Sequence, residues 1–296
     1  MSDAFFTAPP HWRWLVILYF FFGGLAGGSY VIAAMADFFG DELDRPLARL
    51  GYYVAFPSIL VGGALLIIDL TRPDRFWHML VMSQRGWPIF KYWSPMSVGS
   101  WALALFGAFA FLSFVGALGE SGRPGLAPLV VLRRGVLGEV ITVLGGLLGF
   151  FLAGYTGVLL AVTNRPIWSD TPLLGVLFLV SAASISAAAL ILLGLRRGIA
   201  AYSLSWLERI DGWLMLLELL VLIAFVVSLG PVARVWLRAW GALLVVGVVF
   251  VGILLPLALR WRRWLPGRLT APTAALLVLV GGFILRVVIV LSSESA

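Results

Sequence analysis

Between two long apolar runs, Asp69-Leu-Thr-Arg-Pro-Asp-Arg-Phe-Trp-His78 packs two aspartates, two arginines and one of the chain's two histidines into ten residues. Ionisable groups at the edge of apolar runs are costly unless they are paired or used. Asp69 and His78 can take up or release protons, and Arg72 and Arg75 can brace the loop. Further along, Gly154-Tyr155-Thr-Gly157 leads through an apolar stretch to Thr163-Asn-Arg165-Pro-Ile-Trp168. Tyr155 lies roughly 12 Å inside its apolar run and Tyr19 roughly 9 Å inside the first, at 1.5 Å per helical residue. A phenol at that depth needs a hydrogen-bond partner, and the glycines beside Tyr155 clear space. Two phenols, a carboxylate and a histidine near one surface suit a quinone. Its ring is flat and apolar, its carbonyls need donors, and oxidation of the quinol needs a proton acceptor. Tyr155 or His78 can hold a carbonyl, and Asp69 or His78 can take the proton. Plainer roles are open to each: Asp69 pairing with Arg72 or Arg75, Tyr19 packing at the interface, His78 in a solvated loop, and Tyr155 as a buried structural hydroxyl.

The elements that position these groups follow from composition. The chain has 296 residues, 61% hydrophobic and 12% charged, against about 25% charged in soluble domains, which predicts an all-α integral membrane protein. The first apolar run is long enough to span and lacks a small-residue cleavage site, so it reads as a retained helix. There is no cysteine, which excludes intrinsic iron–sulfur clusters and covalent c-type haem. Only His11 and His78 could ligate haem, and neither lies in an apolar run. The net charge of +7 suits anionic lipid headgroups, and the scattered arginines do not suit nucleic acid.

Apolar runs of spanning length predict eight helices, near 13–37, 47–69, 95–118, 136–163, 172–195, 211–230, 235–259 and 271–291. Pro46, Pro95, Pro172 and Pro272 are expected to open the second, third, fifth and eighth. Pro73 can start a short interfacial helix in the loop that follows Asp69. Gly23-Gly24-Leu-Ala-Gly27-Gly28 overlays two GxxxG pairs, which permit close helix approach. The run Ser181–Ala189 is similarly small, which hints at two four-helix bundles, residues 1–168 and 169–296.

An even helix count puts both termini on one side. That side carries eight basic residues (Arg13, Arg72, Arg75, Arg85, Lys91, Arg165, Arg234, Arg238), and the other carries twelve (Arg45, Arg49, Arg123, Arg133, Arg134, Arg196, Arg197, Arg209, Arg260, Arg262, Arg263, Arg268). The positive-inside rule then places the termini and the Asp69–Lys91 loop outside. Three other groups are candidates for a proton route: Glu139, with Arg133 or Arg134 as expected partners, and the intramembrane Glu218 and Arg286, each also open to a structural role. Asp37 is expected at the inner end of the first helix, open to solvent.

Gly24-Leu-Ala-Gly-Gly28, the Asp69–His78 stretch, Ser94-Pro-Met-Ser-Val-Gly-Ser-Trp101, Tyr155–Trp168 and Gly281-Gly-Phe-Ile-Leu-Arg286 together resemble the NrfD/polysulfide reductase membrane-subunit family. The matches span nearly the whole chain in order. The resemblance implies an eight-helix subunit without its own redox cofactor, exchanging electrons between menaquinone or ubiquinone and an iron–sulfur partner subunit. A molybdopterin or multihaem catalytic subunit would lie beyond that partner, and the setting would be the bacterial cytoplasmic membrane. It also implies a quinone pocket in the first bundle, with Tyr155 and Asp69 carried over. His11 and Tyr19 lie where the family's first helix supplies polar groups. Arg72, Arg75 and Arg165 would frame the site and contact the partner. Two other classes are compatible with the residues: a secondary transporter built on Glu218 and Arg286, and a purely structural membrane anchor.

Overall fold

The computed structural model describes residues 12–82, 86–122, 125–237, 239–262 and 267–294. His11 lies outside the described residues, as do Arg85, Arg123, Arg238 and Arg263 of the charge count. Eight helices are long and apolar enough to cross a membrane: α1 Trp14–Phe39, α2 Arg45–Asp69, α3 Pro95–Gly119, α4 Gly135–Ala161, α5 Leu173–Arg197 and α6 Ala201–Ser228, then α7 Ala239–Trp261 and α8 Gly267–Ser292. No strand occurs among the described residues.

Two boundaries differ from expectation for a physical reason. Helix α6 begins ten residues before the expected 211, because its first turns are polar yet still packed. There Ser203 donates to Asp44 at 2.5 Å and Asp211 is fully buried. A hydropathy run stops at such residues, whereas a helix that supplies their partners does not. Helix α8 likewise starts at Gly267, so Pro272 sits inside it instead of opening it. In α7 the turns from Leu243 to Leu254 widen to π geometry.

Helices α1 and α5 form the axis, each 72% buried over its apolar window against 28% for α6. Helix α1 packs on α2, α4 and α5; α3 packs on α2 and α4; α5 packs on α4, α6 and α8; α7 packs on α8. The small residues make this axis possible. A side chain at Gly28 would collide with the Ala182 carbonyl of α5 at 2.7 Å, so only glycine allows the two helices to touch there. Gly27 meets the Gly149 carbonyl of α4 in the same way. The glycine pairs read in α1 therefore face two different neighbours.

The segment after Asp69 is folded, not loose. Pro73–Met79 forms a short 3₁₀ helix, as Pro73 suggested. Residues 80–82 then pair with 87–89, Met82 N–H bonding to Trp87 and Ile89 N–H to Leu80, both at 2.8 Å. Trp101 of α3 donates to the Ile89 carbonyl at 2.7 Å and pins this pairing to the helices.

Candidate quinone pocket and its surroundings

A cavity of about 350 Å³ opens where α1, α2, α3 and α4 end beside this folded segment. Tyr19, Asp69 and Tyr155 all line it. Three of the residues singled out from sequence, from three different helices, therefore meet in one space, whose size falls within the usual range for small-molecule sites. Val16, Phe20, Leu66, Leu103 and Leu159 supply its apolar wall.

Tyr155 stands six residues before the end of α4, about 9 Å in, and is 6% exposed. Its hydroxyl donates to the Pro95 carbonyl at 2.6 Å, and its ring stacks on Phe151 at 5.5 Å. The ring occupies the place where a residue other than glycine at position 99 would carry its side chain. The Ser94–Trp101 motif thus supplies both an acceptor and a vacancy for the phenol. Tyr19 is 2% exposed and lies against Gly62 of α2. Asp69 is the last residue of α2 and is exposed at the cavity rim. Among the described residues no ion pair holds it, and Arg75 contacts Asp74 instead, at 3.8 Å.

The other loop candidates surround the cavity without lining it. His78 is half-buried and packs edge-on to Trp77 at 4.0 Å, while its neighbours Phe76 and Met79 face the cavity. Arg72 and Arg75 are exposed. Arg165 is 5% exposed and lies over the Trp168 ring at 5.4 Å. Trp168 in turn stacks on Trp12 at 5.5 Å and donates to the Ile289 carbonyl of α8 at 2.8 Å. This loop contains Ile167, a β-branched residue at φ 73, a strained conformation. Asp170 holds it there by accepting the Ile167 N–H at 2.8 Å. Arg165 therefore braces the loop, and Trp12 reaches the cavity from that brace. Sequence reasoning missed Trp12, Phe76, Met79 and Met96 as lining residues, because a polar search does not select apolar groups. The placement of Phe76, Trp77 and Met79 beside Asp69 was the available signal.

Glu139 lies at the opposite end of the helices, exposed, in a polar pocket of about 820 Å³. Its expected partner Arg133 is taken: Nη2 donates to both Asp37 oxygens at 2.9 and 3.0 Å, and Nε donates to Glu120 at 3.0 Å. Asp37 is correspondingly not open to solvent, since its side chain is 18% exposed and also accepts from Tyr52 at 2.6 Å. Arg133 lies outside the spans. Burial works against its charge, but Asp37, Tyr52 and Glu120 outweigh that cost and raise its pKa above the ordinary arginine value. Glu218 and Arg286 are buried in the second half, at 4% and 0% exposure, and contribute nothing to the cavity lining.

The model of the family "Polysulphide reductase, NrfD" matches residues 4–295. The chain belongs to the polysulphide reductase NrfD family. It is 27% identical to a polysulfide reductase polypeptide of Wolinella succinogenes over 84% of this chain and 82% of that protein. It is 26% identical to protein NrfD of Escherichia coli K12 over 99% of this chain and 98% of that protein. A shorter match, 29% identical, covers 36% of this chain and 22% of a selenate reductase subunit from Mesobacillus selenatarsenatis. With eight helices of spanning length, this NrfD-family protein is a multi-pass membrane protein, and among its relatives are proteins named as components of polysulfide and selenate reductases.

Proposed function

We propose that this protein is the quinone-exchanging membrane subunit of a multi-subunit oxidoreductase, and that the cavity among α1–α4 binds the quinone ring. The observation that carries this is the convergence of Tyr19, Asp69 and Tyr155 on one apolar-walled space. Tyr155 already donates its proton to Pro95, so its oxygen is free to accept. A quinol hydroxyl can donate to it with no rearrangement, whereas a quinone carbonyl would require Tyr155 to leave Pro95. The resting geometry therefore favours the reduced form. On oxidation, two electrons leave the quinol for the neighbouring subunit and its two hydroxyl protons are released. Asp69 at the rim accepts them one at a time and passes each to water.

The sequence contains no cysteine and so no thiolate for a cluster of its own, which makes a direct neighbour the electron acceptor. An iron–sulfur subunit docking over the Asp69–Lys91 and Asn164–Thr171 segments would bring its cluster close to the ring. A molybdopterin or multihaem subunit would lie beyond it. Helices α1–α4 and α5–α8 form two four-helix bundles in this picture, with the cavity in the first. The bacterial cytoplasmic membrane is the setting, with the termini on the outer side, in keeping with the arginine distribution. The test is Tyr155→Phe in the assembled complex, which should slow quinol-linked electron transfer while leaving assembly intact.

A further inference from the structure

At the end of α1–α4 away from the quinone cavity, the polar pocket of about 820 Å³ is lined by four guanidiniums and four carboxylates. Half of these charges are committed within the protein. Arg133 holds Asp37 at 2.9 Å and Glu120 at 3.0 Å, and Arg49 donates to the Glu120 carbonyl at 3.2 Å. The other half are not. Arg45 and Arg134, with Glu42 and Glu139, are exposed and belong to none of the ion pairs among the described residues. Arg133 adds an Nη1 that is buried without a hydrogen-bond partner. Helix α4 begins at this pocket with no side-chain cap, so its first-turn amides are open to an acceptor from outside the helix.

The signs of the uncommitted charges select the ligand. An anion alone would meet Glu42 and Glu139, and a cation alone would meet Arg45 and Arg134. A ligand bearing both charges satisfies both sets. Glu42 and Arg45 stand together at the start of α2, and Arg134 and Glu139 at the start of α4, so each wall offers both signs. Phosphoethanolamine has the matching chemistry. Its phosphate accepts from guanidiniums and helix amides, and its ammonium has three N–H donors for carboxylates. Phosphocholine has no such donors, and a quaternary ammonium favours an aromatic cage. Phe38 is the sole ring in the lining among the described residues.

The surroundings favour a lipid over a soluble headgroup. Val136, Val140 and Val143 are 76%, 46% and 43% exposed. Their spacing puts them on one stripe of α4, which runs from beside Glu139 into the membrane span. A headgroup in the pocket can therefore lay an acyl chain along α4. We propose that this pocket binds the phosphoethanolamine headgroup of a bilayer lipid, in the leaflet opposite the quinone cavity. Arg45 and Arg134 take the phosphate, Glu42 and Glu139 take the ammonium, and the lipid ties the start of α2 to the start of α4. This site stands independently of the quinone reading.

Native mass spectrometry of the delipidated, assembled complex tests it, with phosphatidylethanolamine, phosphatidylcholine and phosphatidylglycerol of identical acyl chains. The wild-type complex should hold phosphatidylethanolamine about tenfold more tightly than either other lipid, the scale of one hydrogen bond to a charged group. The double variant Glu42→Gln, Glu139→Gln should lose the preference over phosphatidylglycerol. The double variant Arg45→Gln, Arg134→Gln should weaken all three. Equal binding of the three lipids by the wild type overturns the proposal, even if neither variant assembles. So does a Glu42→Gln, Glu139→Gln complex that keeps its preference. Displacement of the lipid by an equal concentration of glycerophosphoethanolamine, which has no acyl chains, would assign the pocket to a soluble ligand and overturn the lipid assignment.

Discussion

The Asp69 end of the first half and the buried Asp211–Arg260–Ser184 cluster of the second half face the same problem, polar groups within or beside a membrane, and resolve it differently. In the cavity the polar atoms are few and lightly committed. Tyr155 spends one hydrogen bond on Pro95 and keeps its acceptor side, and Asp69 stands exposed without an ion pair among the described residues. Space and spare hydrogen-bonding capacity suit such a place to a ligand. In that cluster Arg260 and Ser184 both donate to the buried Asp211. Committed charges suit such a place to structure.

Four changes break or sharpen this contrast. The largest effect is expected from Arg260→Leu, which leaves the fully buried Asp211 with only Ser184. Removing one partner of a buried pair costs about 3–5 kcal/mol, so thermal unfolding in detergent should show a marked loss of stability even with the cavity untouched. Asp69→Asn should spare stability and lower quinol oxidation about a hundredfold, the low end for a positioned general base, with its rate tracking added proton-accepting buffer. Gly99→Ala places a methyl group where the Tyr155 hydroxyl lies and should cost about tenfold in quinol turnover, or 1.4 kcal/mol. Steady-state kinetics on the assembled complex reads both. The smallest effect is expected at Arg75→Ala, whose contact with Asp74 is exposed at both ends. Stability should move by less than about 0.5 kcal/mol, and any change should appear as weaker, salt-sensitive partner binding.

The contrast also explains what could be read from the amino-acid order. The eight spans, the folded Pro73 segment and the role of the α1 glycines were legible because hydropathy, proline position and small-residue spacing act locally. Tyr155 and Asp69 were legible as a pair because both lie near helix ends on one side. The early start of α6 was not, since Ser203 and Asp211 are tolerated only through Asp44, Arg260 and Ser184, partners distant in sequence. The choice of Asp37 and Glu120 over Glu139 by Arg133 was hidden for the same reason. His78 shows the opposite limit. Its chemistry attracted attention, but the 3₁₀ turn presents Phe76 and Met79 to the cavity.

The most direct measurement of the central claim is quinol oxidation by the assembled complex carrying Tyr155→Phe. Loss of one hydrogen bond to the ring, worth about 1 kcal/mol, predicts a fall of roughly fivefold or more, with normal assembly and normal electron transfer from an artificial donor to the partner subunit. Unchanged quinol turnover in a fully assembled Tyr155→Phe complex would contradict a quinone site at this cavity.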